Sequence, residues 1–247
     1  MSESSVDDRY EGCTEKMANL VETKYLSEEI TANISGFGTA WNFSAEIIPE
    51  PEDNLNKKHL IAISVYSGRT VYNQFNQDVR SGKLKYKNMK YAWYSLHFLL
   101  TEAIQILKKT QEKCILTYRR TNVTFNETVL YKEIRFGSFA SSSLDRDAAK
   151  IFGNESCFKI KTCYGANVTK YSLYPDEREV LIPPYEKFKV TEIKKNDWCK
   201  TVFVLESSGI RSDLNCAVAS AESQIYHRCL SLWLTSFYIF IHFSFLY

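Results

Sequence analysis

The sequence lacks most of the short motifs that mark a cofactor or metal site. Its 247 residues contain no G-x-G-x-x-G and no G-x-x-x-x-G-K-[ST], so neither a dinucleotide fingerprint nor a phosphate-cradling loop is present. The seven cysteines include no C-x-x-C pair. The four histidines (His59, His97, His227, His242) are scattered, and both facts argue against a zinc site. Nine glycines and five prolines without a G-x-y period exclude a collagen-like chain. Neither sign of charge dominates: 31 Lys and Arg against 29 Asp and Glu leave a formal charge of +2, too little to steer the chain onto nucleic acid. Any anion it binds must therefore be held by a local site. No repeat, low-complexity tract or Gly/Ser linker divides Cys13 from Cys216. What is present, 45% apolar residues and 14% aromatics, is the profile of one globular domain and excludes disorder and coiled coil.

Cysteine and asparagine point to an oxidising compartment. Six N-x-[ST] sequons begin at Asn33, Asn42, Asn122, Asn126, Asn154 and Asn167, which serve as glycan acceptors only in a chain that enters the secretory pathway. The polar start Met1-Ser2-Glu3-Ser4-Ser5 has neither a basic nor an apolar region, so no signal peptide is present in the sequence as written. That leaves a misplaced start or a cytosolic chain, and the other end favours the first. There Ala217 to Ala221 are small, Glu222 to Cys229 form a polar spacer, and Leu230 to Tyr247 are almost wholly apolar. This is the layout of a glycosylphosphatidylinositol anchor signal, with the domain proper at 1–216, the anchor site and spacer at 217–229 and the signal at 230–247. The alternative, a C-terminal transmembrane helix, is just allowed by length, but no Lys or Arg follows the tail. Loss of Cys229 with the tail would leave six cysteines, an even number suited to three bridges.

Periodicity orders the domain. Tyr10 to Ile30 carries Met17, Leu20, Val21, Tyr25 and Leu26 on one helical face, and Met89 to Lys109 has an apolar stripe of Trp93, Leu96, Leu100, Ala103, Ile104 and Leu107. From Cys114 the period becomes two, in Cys114 to Tyr118, Cys157 to Cys163, Val180 to Ile182, Phe188 to Ile193 and Lys200 to Leu205. Helices first and strands later predict an α+β fold with mainly antiparallel sheets.

Three segments in the strand-rich part could carry chemistry: Tyr118-Arg119-Arg120-Thr121, Phe139-Ala140-Ser141-Ser142-Ser143, and Tyr174 to Pro184 with Glu177 and Glu179. In an extended chain residues i and i+2 share a face, which predicts the two carboxylates side by side about 6.5–7 Å apart, with Arg178 pointing away. Such a pair can stabilise a developing positive centre, as needed where a glycosidic bond breaks through an oxocarbenium-like transition state. An isolated E-x-E is more often a solvated turn. A Ser triplet is usually a turn or sheet edge, and with no G-x-S-x-G a Ser nucleophile has little support. Arg119 offers a planar fork to a phosphate or carboxylate, although an arginine at a strand end is more often a surface ion pair.

Taken in order, Arg, then Ser-x-Ser, then Glu-x-Glu, these segments resemble the R-S-E signature of vertebrate arginine-specific ecto-mono-ADP-ribosyltransferases. The likeness extends through Asp7 to Cys13, Tyr91 to Lys109, Phe136 to Ser143, Thr162 to Ala166, Tyr171 to Pro175 and Glu179 to Pro184. It implies the ADP-ribosyltransferase fold, N-terminal helices followed by two packed, mainly antiparallel sheets with an NAD cleft between them. It implies NAD+ as co-substrate without a metal, transfer of ADP-ribose to arginine side chains of acceptor proteins, and release of nicotinamide. By position, Arg119 resembles the residue that grips the NAD+ phosphates, Ser141 the serine that orients the catalytic glutamate, Glu179 that glutamate, and Glu177 the residue that accepts the target arginine. Phe152 resembles a residue stacking on nicotinamide, and Ser172 and Tyr66 are matched to further NAD+ contacts by local wording alone. The likeness also implies the bridges Cys13–Cys216 and Cys114–Cys163, which leaves Cys157 with Cys199. It places the protein at the cell surface, lipid-anchored or secreted.

One residue departs from the pattern. Arg120 stands where most family members have Gly, so its side chain is expected either to impede NAD+ or to add a second cation to it. Two rivals to the transferase remain on sequence grounds: an NAD+ glycohydrolase, with water as acceptor, and a surface protein that keeps the fold without activity.

Overall fold

Helices fill the first half of the chain, and two of them are buried almost throughout. The computed structural model describes residues 2–68 and 70–221. Its helices are α1 (Thr14–Leu20), α2 (Leu26–Ala32), α3 (Phe37–Ile47), α4 (Lys57–Ser67), α5 (Tyr72–Ser81), α6 (Lys83–Lys87) and α7 (Tyr94–Lys108). A π turn, Val21–Tyr25, joins α1 to α2, so the first expected helix is present but begins at Thr14. Its start is delayed because Tyr10 has φ 58, outside the helical region, and its N–H is taken by the Asp8 carboxylate at 2.8 Å. It ends at Asn33, whose left-handed conformation is a common helix stop. The α7 segment starts later than the expected Met89, since Met89 has φ 58. Burial of most of its residues, Tyr94 to Thr101 without a break, shows a central core helix rather than one with a single apolar stripe. Helix α4 is similarly buried from His59 to Tyr66.

The strands are β1 (Ile115–Thr121), β2 (Glu133–Ile134), β3 (Ala140–Ser143), β4 (Ser156–Thr162), β5 (Ala166–Asn167), β6 (Glu179–Ile182), β7 (Glu186–Lys195) and β8 (Thr201–Ile210). They form one mixed sheet in the order β2-β7-β8-β4-β1-β3-β6-β5, where two packed sheets were expected. All pairings are antiparallel except β4 with β8, which the chain reaches by a crossover. Strands β1 and β3 share one paired position, Tyr118 with Ser143. The sheet is thus two blocks of strands hinged at a seam, and the expected pair of sheets corresponds to these blocks. The Ser triplet, expected as a turn or edge, is the inner strand β3 beside this seam.

One apolar core lies among the helices and reaches Phe139, Val168, Tyr171 and Leu181 on the strand half. A second lies between strands, built on Phe158, Ile160, Phe188, Phe203 and Leu205. The ends of the domain are strapped together. Asp7 pairs with Arg135 at 2.5 Å, both side chains being fully buried, and accepts the backbone N–H groups of Asp213 and Leu214. Disulfides join Cys13 to Cys216, Cys114 to Cys163 and Cys157 to Cys199. Residues 217–221 are helical, with Val218 in the main core, Ala217 packed against it and Ala219 buried. The remainder of the expected anchor spacer and its apolar signal lie outside the described residues.

Candidate active site

At the seam β1 and β3 diverge past their single paired position, leaving a cleft of about 390 Å³ bordered by both strands, the start of β6 and the α4–α5 connection. That size suits a small-molecule site, for which roughly 300–1,000 Å³ is usual. Arg119 lies just beyond the bridge, and its Nη1 donates to the Ser141 carbonyl 2.5 Å away, reaching across the gap that the backbones leave.

Glu179 opens β6 opposite Ser143, and although it borders the cleft it is only 5% exposed. Ser172 Oγ donates to Glu179 Oε2 at 3.2 Å, and the Ser141 hydroxyl also hydrogen-bonds the carboxylate. Burial raises the Glu179 carboxyl above its ordinary range. The two serine hydroxyls oppose the rise, the nearby Glu177 charge adds to it, and the Arg119 cation offsets part of it. Behind Ser141 the Tyr66 hydroxyl continues the chain, itself accepting from Asn76 Nδ2 at 3.2 Å. Burial pushes Tyr66 well above the ordinary tyrosine range, so it remains a neutral phenol able to donate. A relay of Asn76, Tyr66 and Ser141 therefore fixes one side of Glu179, and Ser172 fixes another.

Glu177 does not share a strand with Glu179, contrary to the expected extended E-x-E. It ends a 3-10 turn, Pro175–Glu177, and Arg178 at φ 47, ψ 51 then reverses the chain into β6. Pro175 starts that turn, and backbone bonds from Glu177 to Tyr174 and from Arg178 to Pro175 close it. The serine strand holds it in place: Ser143 Oγ donates to the Glu177 carbonyl at 2.7 Å, and Leu144 N–H to that of Arg178 at 3.0 Å. Glu177 still borders the same cleft, half-buried at its rim while Glu179 sits within.

The other expected residues are distributed as follows. Tyr66 and Phe152 line the cleft, Phe152 from the 3-10 turn Ala148–Phe152 with 48% of its surface exposed. Ser172 is not part of the lining; it reaches the site only through Glu179 and also accepts the Tyr174 N–H. Five lining residues lie outside everything the sequence singled out, namely Ser67, Gly68, Tyr72, Asn73 and Ala149. Tyr118 and Tyr174, which open two of the segments singled out from sequence, also line it, though no role was assigned to either. Nothing in the sequence brings the first turn of α5 to the end of β1.

The arrangement can hold an anion beside Arg119 and stabilise a cationic carbon against Glu179, between aromatic walls, which is the class of a glycosyl-transferring site. The architecture is that of mono-ADP-ribosyltransferases. The crystal structure of the eucaryotic mono-ADP-ribosyltransferase ART2.2 superposes with TM-score 0.74 at 29% identity, covering 87% of this chain and 96% of the other. A mutant of that enzyme in complex with NAD superposes with TM-score 0.72 at 28% identity and the same coverage. Residues 1–213 match the family model NAD:arginine ADP-ribosyltransferase, and the chain belongs to that family. NAD(P)(+)--arginine ADP-ribosyltransferase 2 of Gallus gallus is 35% identical over 227 residues, covering 87% of this chain and 71% of the relative. The GPI-linked NAD(P)(+)--arginine ADP-ribosyltransferase 1 of Oryctolagus cuniculus is 31% identical over 237 residues, with 87% and 72% covered.

Proposed function

We propose that this protein transfers ADP-ribose from NAD+ to arginine side chains of other proteins, with Glu179 as the catalytic carboxylate. The observation that carries the reading is that one buried carboxylate, tethered by Ser141 and Ser172, faces the cleft that Arg119 and Glu177 also border. The named activities of the relatives and the NAD complex of a structural neighbour support it.

In this reading Arg119 holds the NAD+ diphosphate and Phe152 stacks on nicotinamide. Glu179 binds the nicotinamide-ribose 2′-hydroxyl and stabilises the anomeric carbon as its bond to the nicotinamide nitrogen breaks. Nicotinamide departs with the bonding pair and becomes neutral. A guanidinium is protonated at neutral pH and so is a poor nucleophile; Glu177 at the rim orients it and takes its proton as the new C–N bond forms. The products are an ADP-ribosylated arginine, nicotinamide and one proton. We further place the protein at the cell surface, lipid-anchored, in keeping with the GPI-linked relative. Exposed sequon asparagines at 33, 42, 122, 126 and 154 agree with passage through the secretory pathway.

The test is incubation of the purified protein with labelled NAD+ and agmatine. A labelled agmatine adduct is expected. Free ADP-ribose alone assigns a glycohydrolase, and unconsumed NAD+ refutes both enzymatic readings.

A further inference from the structure

Arg120 is among the residues that border the cleft. It is buried to within 5% of its surface beside the cleft, and its guanidinium is engaged by the protein itself. Nε donates to the Arg146 carbonyl at 3.2 Å, and Nη1 to Asn154 Oδ1 at 3.3 Å and to the Trp198 carbonyl at 3.2 Å. Nη2 lies 3.9 Å from the Asp147 carboxylate, and the guanidinium carbon stands 4.7 Å from the centre of the Trp198 ring. These partners belong to two different pieces of chain. Arg146 and Asp147 lead directly into the 3-10 turn that presents Ala149 and Phe152 to the cleft. Trp198 precedes Cys199, whose disulfide to Cys157 fixes it to β4, where Cys157 is the strand partner of Arg120.

The turn needs such a tether. Ala149 is its one buried residue, while Ile151 is 71% and Phe152 48% exposed, so little apolar surface holds it down. Segments of that kind open locally at low free energy. We propose that Arg120 is a positioning residue for substrate binding: it clamps the Phe152 turn to the disulfide-anchored Trp198 segment and so holds the Phe152 ring against the nicotinamide end of the cleft. Although Arg120 borders the cleft, its guanidinium is directed to protein acceptors, and its effect on NAD+ is exerted through Phe152. The inference rests on the reading that NAD+ occupies this cleft.

The experiment is a double-mutant cycle on the full chain, using steady-state kinetics with NAD+ and agmatine and direct calorimetric binding of NAD+. Arg120→Ala is expected to raise KM and Kd for NAD+ about tenfold, the scale of one ring left to be ordered on binding, with kcat changed little. Phe152→Ala should do the same, and Arg120→Ala in the Phe152→Ala background should add nothing. Arg120→Lys separates the clamp from a charge effect, because one ammonium keeps the charge but cannot reach three acceptors on two segments. The lysine variant should therefore bind NAD+ as weakly as the alanine variant. Additive effects in the cycle, or near-normal binding by Arg120→Lys together with weak binding by Arg120→Ala, overturn the clamp. If Arg120→Ala does not fold, the lysine variant and Asp147→Asn, which loosens the same turn from the surface, carry the same comparison. Failure of the unaltered protein to bind NAD+ refutes the proposed function instead, and the two failures are distinguishable.

Discussion

Replacing Glu179 by Gln tests the centre of the site, because it removes a charge while keeping the shape. Glutamine retains an oxygen able to accept from Ser172 or Ser141, so the contacts that place the side chain have a surrogate. What is lost is the negative charge beside the anomeric carbon, and removing one preorganised group of this kind costs roughly 10²–10³-fold in rate. Stability should move the other way. Burial holds the Glu179 carboxyl above its ordinary range, so folding favours the protonated form. The contribution of this group is complete below the ordinary carboxylate range and is lost as pH rises through the raised value. Above that raised value the ionised, buried carboxylate is a cost that Gln does not carry. Transfer to agmatine should fall by roughly two to three orders of magnitude, while Tm at pH 7 stays level or rises. A variant that loses activity and melts earlier would mean that Glu179 holds the fold together, and one with wild-type turnover would refute the electrostatic role outright.

Other substitutions separate the remaining parts. Glu177→Gln should abolish the agmatine adduct while leaving nicotinamide release to water measurable; equal loss of both reactions would contradict a role confined to the acceptor. Ser172→Ala removes a donor that favours the ionised form of Glu179, so the acid limb of the kcat/KM profile should move to higher pH, and an unmoved limb would sink that assignment. The bridge Cys13–Cys216 spans 203 residues, and on the chain-entropy model its closure is worth on the order of 5 kcal/mol. Denaturant unfolding of the Cys13→Ser/Cys216→Ser variant should show a loss of that order, and an unchanged midpoint would mean that Asp7 and its partners hold the ends without it.

The parts of the molecule that were legible in the sequence are those whose cause is local. Alternating Val, Ile, Phe and Thr found β4, β7 and β8 to within a few residues, because a strand with a buried face imposes period two on its own side chains. The same logic misplaced Glu177. It assumed that Glu177, Arg178 and Glu179 lie in one extended run, whereas Pro175 starts a tight turn and Arg178 adopts a left-handed conformation, with Ser143 and Leu144 bonded to the carbonyls on either side of it. Helices α3 to α6 were missed, including α5, whose buried Phe75 and Val79 stand one helical turn apart. A helix buried on all sides, as α4 is from His59 to Tyr66, has no polar face to set the period.

The least visible features are those made by distant segments meeting. Tyr66 and Ser141, far apart in sequence, meet only because α4 packs against β3, and Ser172, matched by resemblance to an NAD+ contact, meets Glu179 only after the turn Pro175–Glu177. The cleft itself follows from a sheet that is continuous in order yet bridged at a single position between β1 and β3, so that Arg119 must cross to Ser141 by its side chain where backbone pairing stops. A motif can therefore name Arg119, Ser141 and Glu179 in order, but the opening between their strands comes from the failure of two neighbours to pair. Arg120 carries the same lesson one residue further on. Its identity suggests a second cation for a phosphate, and only the meeting of Arg146, Asn154 and Trp198 around it takes that charge up.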